Sequence, residues 1–291
     1  MAYSRKRVSA RPRPLRRNHR YVKKRSAAYT KRRPVRRRGF RKSNRLNRKA
    51  VLNITSRKKQ DNMRVWLGTP YLPAPTSTPL RMVGGADYMY AWIATARDKD
   101  NGSGPAPIEY DPTRTSSHCF MRGLRERIDI LTSSPVPWLW RRILFCYKGN
   151  SLLVEQGEPD AVLWNETSDG YTRFYANVGD ATDAPSFALG EKIKDLIFKG
   201  TEGKDYTNSY SAKIDTDRVT VMSDRTTVIK SQNDKGIIRM FKGWYPMNAT
   251  LIYDEDEDGS VTNNGLLSVN SNKSMGDVYV IDFFSAGLGS T

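Results

Sequence analysis

Apolar residues in this chain come in short runs set between clusters of Gly, Pro, Asp and Asn, and few runs keep a helical period. Such punctuation predicts strands. Tyr88–Ala96 (YMYAWIATA) is an aromatic-rich run. Cys119–Leu131 alternates, with Ile128 and Ile130 on one face and Arg127 and Asp129 on the other. Trp138–Tyr147 (WLWRRILFCY) is strongly apolar, and Pro135 and Pro137 stop a helix from running into it. Arg218–Met222 and Thr226–Ile229 read as two strands with Ser223–Arg225 as the hairpin turn between them. Ile237–Trp244 and Ala249–Tyr253 are two further β-rich runs. Asp277–Phe284 (DVYVIDFF) is the last, with Val278, Val280 and Asp282 sharing a face.

The segment Leu189–Lys199 has Ile193, Leu196 and Ile197 at helical spacing between Gly190 and Gly200, and fits a short helix or a strand equally. An apolar patch at 62–67 precedes TPYLPAPTSTPL (69–80), whose four prolines predict an extended arm. The stretches 97–117 and 149–187 read as long links that carry function or contacts. Strands at turn-punctuated intervals with so little helix predict an antiparallel sandwich or barrel.

Charge divides the chain. Residues 1–60 hold 25 Lys and Arg and no acid, whereas 61–291 hold 24 bases against 30 acids and all six Trp. The first part has too few apolar residues to fold alone, so 1–60 is expected to be a disordered basic arm and 61–291 a folded domain with its own core. Arg outnumbers Lys in the arm, and the guanidinium fork matches phosphate oxygens in pairs. The expected nucleic-acid-binding residues are Arg5, Lys6, Arg7, Arg11, Arg13, Arg16, Arg17, Arg20, Lys23, Lys24, Arg25, Lys31, Arg32, Arg33, Arg36, Arg37, Arg38, Arg41, Lys42, Arg45, Arg48, Lys49, Arg57, Lys58 and Lys59. They would act by summed charge, without reading sequence. Tyr3, Tyr21, Tyr29 and Phe40, set between the basic clusters, are candidates for stacking on unpaired bases. The same clusters suit recognition by nuclear import receptors. Fully extended, the arm would reach about 200 Å.

Other chemistries find little support. No run has the length of a membrane span, no signal-peptide pattern opens the chain, and two cysteines make no disulfide framework, which predicts a reducing, intracellular history. No CxxC, HExxH or phosphate-cradling glycine loop occurs, so no cofactor and no enzymatic activity are expected. His118 and Cys119 are adjacent, and neighbours on a strand face opposite ways. Asp254, Asp256, Asp258 and Gly259 match the opening of a calcium loop, but its twelfth position is Gly265 and its flanks read as strands. The acidic run is therefore expected to be a solvated loop, with those three aspartates as a weak candidate cation site.

An Arg-rich N-terminus, then AVLNITSRKKQDNM (50–63), then a β-rich body closing on MGDVYVIDFF (275–284), resembles the capsid proteins of genomoviruses. These are small circular single-stranded DNA viruses whose coat proteins are related to those of geminiviruses. The resemblance covers the layout of the whole chain, and 50–63 is its most specific part. It implies a single antiparallel jelly-roll β-sandwich. It also implies self-assembly of about sixty copies into a small isometric, T=1-like shell, a packaged single-stranded DNA genome, and passage through the host nucleus on the way to the virion. Membranes are not expected partners. Sixty arms would bring roughly 1,500 positive charges, enough to neutralise much of a genome of a few thousand nucleotides. Two other readings fit the basic arm: a cellular nucleic-acid-binding protein such as a ribosomal protein with a basic extension, and a viral nuclear-shuttle or movement protein. Both would bind nucleic acid without forming shells.

Overall fold

The computed structural model describes residues 47–71, 75–99, 104, 106–154, 160–168 and 170–287. The chain divides into two units, Met1–Ser56 and Arg57–Thr291. In the first, the described part is a helix, α1 (Arg48–Thr55), which departs from the expectation of a disordered arm through 60. Asn47 caps it by accepting a hydrogen bond from the Ala50 N–H at 2.7 Å. Leu52 and Ile54 are more than half exposed, and a helix of eight residues is marginal without a packing partner.

The second unit is built from β1 (Val65–Gly68), β2 (Asp87–Ile93), β3 (His118–Thr132), β4 (Trp138–Tyr147), β5 (Asn165–Thr167), β6 (Gly170–Asn177), α2 (Ala184–Ile197), β7 (Thr220–Ile229), β8 (Ile237–Ile252), β9 (Asp256–Asp258), β10 (Val261–Asn263) and β11 (Asp277–Ala286). The large sheet has the order β1-β6-β2-β11-β4-β7, with β5 on β6. All its pairings are antiparallel except β1 with β6. The second layer is a long ribbon of β3 and β8. The fold is therefore mostly β and sandwich-like, as the turn-punctuated pattern predicts.

The last strand, β11, lies at the centre of the sheet, between β2 and β4, and is buried on both faces. Its alternation sorts the core into two halves. Tyr279, Ile281 and Phe283 point to one side, where Phe145 stacks on Tyr279 at 5.3 Å and Leu189, Ile193 and Ile197 of α2 close the layer. Val278, Val280 and Phe284 point to the other side, where they meet Trp92, Trp140 and Leu144, and Leu124 of the ribbon comes down on them. Asp282 shares that second face, as the sequence predicts, and is buried there.

Three expectations are corrected. The turn expected at Ser223–Arg225 is the middle of β7, which runs unbroken along the edge of the sheet. Its polar residues face solvent or Arg141, so polarity here marks an edge and not a bend. The gap expected between 244 and 249 is likewise strand: β8 continues through Pro246, opposite Gly123. A proline is tolerated because β8 has a ladder on one side only. The distortion is taken up at Asn248, whose φ is 49°, and at a register shift between Met121 and Gly123. Thirdly, the stretch 149–187 is no bare link. It contains β5, β6 and the start of α2. The open choice at 189–199 falls to helix, which begins earlier, at Ala184, with Pro185 in its first turn.

Gly190, mid-helix in α2, costs helix stability relative to Ala. It is there because a Cβ would sit 2.0 Å from the Val178 carbonyl oxygen. We expect Gly190→Ala to destabilise the protein by about 1–3 kcal/mol, by prising α2 off the sheet, although helix propensity alone favours alanine. Urea unfolding followed by tryptophan fluorescence decides between these signs.

Candidate functional site

The predicted phosphate-binding residues from Arg5 to Arg45 lie outside the described residues, so their placement is not at issue. Arg48 and Lys49 fall in the first turn of α1. Arg57 is exposed and pairs loosely with Asp111 at 3.9 Å. Lys58 is exposed. Lys59 is half-buried and donates to the carbonyl oxygens of Tyr110 (2.6 Å) and Thr113 (2.8 Å), so it anchors a loop of the body.

The acidic run leads into a hairpin. Asp254 precedes a small hairpin of β9 and β10, and Asp256 and Asp258 lie exposed on β9. Among the described residues no three His, Cys, Asp or Glu side chains converge as metal ligands would. Nor is the whole run solvated. Glu255 turns inward, 5% exposed, and pairs with Arg114 and, at 3.3 Å, with Lys99. Arg114 also donates to the carbonyl oxygens of Arg97 (2.7 Å) and Gly265 (2.8 Å) and lies 3.9 Å over the Tyr253 ring. One arginine thereby clips the long 97–117 segment to the hairpin.

The two cysteines are held as thiols. Burial raises the pKa of Cys119, and burial together with Asp277 pushes Cys146 up to about 11. A nucleophilic cysteine needs the opposite shift. His118 is exposed, whereas Cys119 beside it is half-buried and donates to the Ser116 carbonyl at 3.2 Å.

The charged groups that matter most in the interior are ones the sequence pattern hid. Arg141 and Arg142 sit side by side in the most apolar strand, and strand alternation sends them to opposite faces. Arg142 enters the gap between sheet and ribbon. Its Nε and Nη2 fork onto Asp282 at 2.8 and 2.6 Å, Nη1 reaches Glu126 of the ribbon at 2.6 Å, and Nη2 also reaches the Tyr175 hydroxyl at 2.5 Å. Trp140 Nε1 donates to the same Asp282 carboxylate at 2.6 Å. Arg173 meets the other oxygen of Glu126 at 3.3 Å. Two cations and two carboxylates thus form a neutral, buried set. On the other face Arg141 forks onto Asp224 at 2.9 and 2.8 Å and donates to the carbonyls of Ser209 and Ala212. The signal was available: paired arginines inside an apolar strand require carboxylates, and Asp282 lies opposite Arg142 in the β4–β11 register.

A second interior network joins Asp277 to Thr95 and Ser268. The Thr95 hydroxyl donates to Asp277 at 2.8 Å and the Ser268 N–H at 2.6 Å. Burial outweighs these bonds and raises the Asp277 pKa.

The outer surface of the ribbon is different. Phe120, Arg122, Arg125, Arg127, Leu131, Ile238, Met240, Lys242 and Trp244 are all exposed on β3 and β8. No helix among the described residues is long and apolar enough to cross a membrane. No protein-family model matches the chain, and no match to a curated protein was found.

Two predictions follow from the interior. Arg142→Met leaves Asp282 and half of Glu126 without a cation and should cost about 3–5 kcal/mol. Adding Asp282→Asn removes the stranded charge while keeping an acceptor for Trp140, so the double variant should be more stable than the single one. Urea titrations of the three proteins test this. Asp277 supplies the second. Its folded pKa is raised above the unfolded value of about 3.9, so its contribution to stability is complete below that value and is lost as pH rises through the folded pKa. Asp277→Asn should therefore gain on the natural protein as pH is raised from about 4. An unfolding free-energy difference that stays flat with pH would refute it.

Proposed function

We propose that the chain is the capsid protein of a small circular single-stranded DNA virus, of the kind found in genomoviruses, and that its β-sandwich is a jelly roll. The observation that carries this reading is the segregation of charge: 25 bases and no acid in residues 1–60, ahead of a β-sandwich body in which acids outnumber bases. A protein that grips nucleic acid as an enzyme does carries its positive charge beside a folded site. Here 25 of the 49 bases precede residue 61 in sequence.

The strand order supports a jelly roll. The central run of the large sheet is β2-β11-β4-β7, and the facing ribbon pairs β3 with β8. Every one of these pairings is antiparallel and joins strands far apart in sequence, as Greek-key winding requires. The surface supports association between copies. Leu131, Ile238 and Met240 lie together at one end of the ribbon, 50–77% exposed, and Leu131 is paired directly with Ile238. Clustered exposed apolar residues mark contact surfaces.

Under this reading the bodies form the shell, and the basic segments neutralise the DNA phosphates. About sixty copies make a closed T=1-like particle. Nuclear import receptors read the same basic clusters on the way to assembly in the nucleus.

Deleting residues 1–46 removes 20 of the 25 bases and leaves α1 and the body intact. The full-length protein should form uniform closed particles with a high ratio of absorbance at 260 to 280 nm. The deletion variant should keep its thermal unfolding transition and lose the nucleic acid. Electron microscopy and the absorbance ratio check both outcomes. A nucleic-acid-bound monomer across a range of salt and pH would turn the reading to a cellular binding protein or a viral shuttle factor.

A further inference from the structure

We propose that the outer face of the β3–β8 ribbon is a second, folded binding surface for single-stranded nucleic acid, in which Trp244 and Phe120 stack on bases while Arg122, Arg125, Arg127 and Lys242 hold phosphates.

The face is made by register. Leu124 and Glu126 point into the core, so Arg125 and Arg127 point away from it. Across the ribbon Arg125 pairs with Trp244, and Arg127 pairs with Lys242. Like charges directly opposite one another on a sheet are destabilising. Among the described residues none of the four cations has an acidic partner within 4 Å, and Asp129 is the one acid on this face. A bound anion is what relieves such a pair. The cations also stand out against their setting, because the body as a whole carries more acid than base.

The aromatic component is equally placed. Trp244 is 54% exposed and Phe120 51%. The Trp244 indole lies against Gly123, where a Cβ would come within 2.8 Å of its ring carbons and within 2.6 Å of the Tyr245 carbonyl. The absence of a side chain at 123 lets the indole lie along the ribbon. Same-face residues on a strand are about 6.8 Å apart, so Trp244 lies one such step from Lys242 and directly opposite Arg125. Arginines beside exposed aromatic rings are the combination that binds single strands without reading sequence. This inference does not depend on shell formation. The competing occupant is the acidic β9–β10 hairpin of a second copy, which would satisfy the charges by protein contact.

The test uses the full-length chain, with Trp244→Ala and, separately, Arg125→Gln with Arg127→Gln. Two probes are compared by fluorescence anisotropy at about 0.5 M salt: a thymidine 12-mer and an abasic 12-mer with the same phosphates. Charge alone binds both equally. The natural protein should prefer the thymidine strand by about tenfold, and Trp244→Ala should lose that preference. The arginine double variant should weaken both and lower the slope of log affinity against log salt by about 1.4. Photo-crosslinking of an iodouracil 12-mer should label the peptides containing Trp244 or Phe120. A base preference that survives Trp244→Ala, with crosslinks confined to residues 1–60, would overturn the proposal. So would an arginine double variant that alters particle formation but leaves oligonucleotide binding unchanged, since that result assigns the face to a second copy. Stacking through Trp244 in a protein that forms no particles would sink the capsid reading and leave this one standing.

Discussion

The constraint on which the body depends is the burial of Arg142 between its two strand layers. A guanidinium cannot be neutralised in a protein, so it can be buried only with carboxylates in place. Asp282 comes from the neighbouring strand of the same sheet, and Glu126 comes from the opposite layer. The ion set therefore holds the ribbon to the sheet at one register. Sliding β3 by a single residue would turn Glu126 to solvent and bring Arg125 or Arg127 into the interior. Satisfying Arg142 inside forces those two arginines outside. The cationic outer face of the ribbon is thus a consequence of the same alternation that neutralises the core.

Arg141 does for the other face what Arg142 does for this one. It reaches across to the 209–212 segment and to Asp224 on the edge strand, and it lies 5.2 Å from the Phe198 ring. The central sheet is covered on both sides, by the ribbon on one and by α2 with its flanking loops on the other. A sheet in that position has no face on which polar residues are free of obligation. Each charge it carries has to be met by a named partner: Asp224 meets Arg141, Asp282 and Glu126 meet Arg142, and Thr95 and Ser268 meet Asp277. Apolar burial stabilises the two halves of the core; the arginines fix how the layers match.

The legibility of the fold in the sequence follows the same logic. Strands dominated by apolar residues, such as Trp138–Tyr147 and Asp277–Ala286, were readable nearly to the residue. Strand β6 was not, because both its faces are buried and its inward set mixes Tyr171, Arg173 and Tyr175. Polar runs in β7 and a proline in β8 mimic turns, but both strands have an unpaired edge where such residues cost no ladder bond. The basic segment was legible from charge alone. The interior ion set was legible only in part: the paired arginines called for buried carboxylates, but Glu126 and Arg142 are sixteen positions apart and nothing local links them.

Two sources of positive charge with different physics are then present in the proposed assembly. The contribution of residues 1–46 is one of number: phosphate contacts made by charge alone weaken in proportion to the counterions they release, and 20 bases give a steep loss with salt. The ribbon contributes few charges but places them beside aromatic rings at fixed spacing, and stacking is far less sensitive to salt than ion pairing. A chain with only the first would release nucleic acid completely as ionic strength rises. A chain with both retains base contacts after the phosphates are screened, and because those contacts sit on a strand whose register is fixed by Glu126 and Arg142, they hold the nucleic acid at a defined place on the folded body.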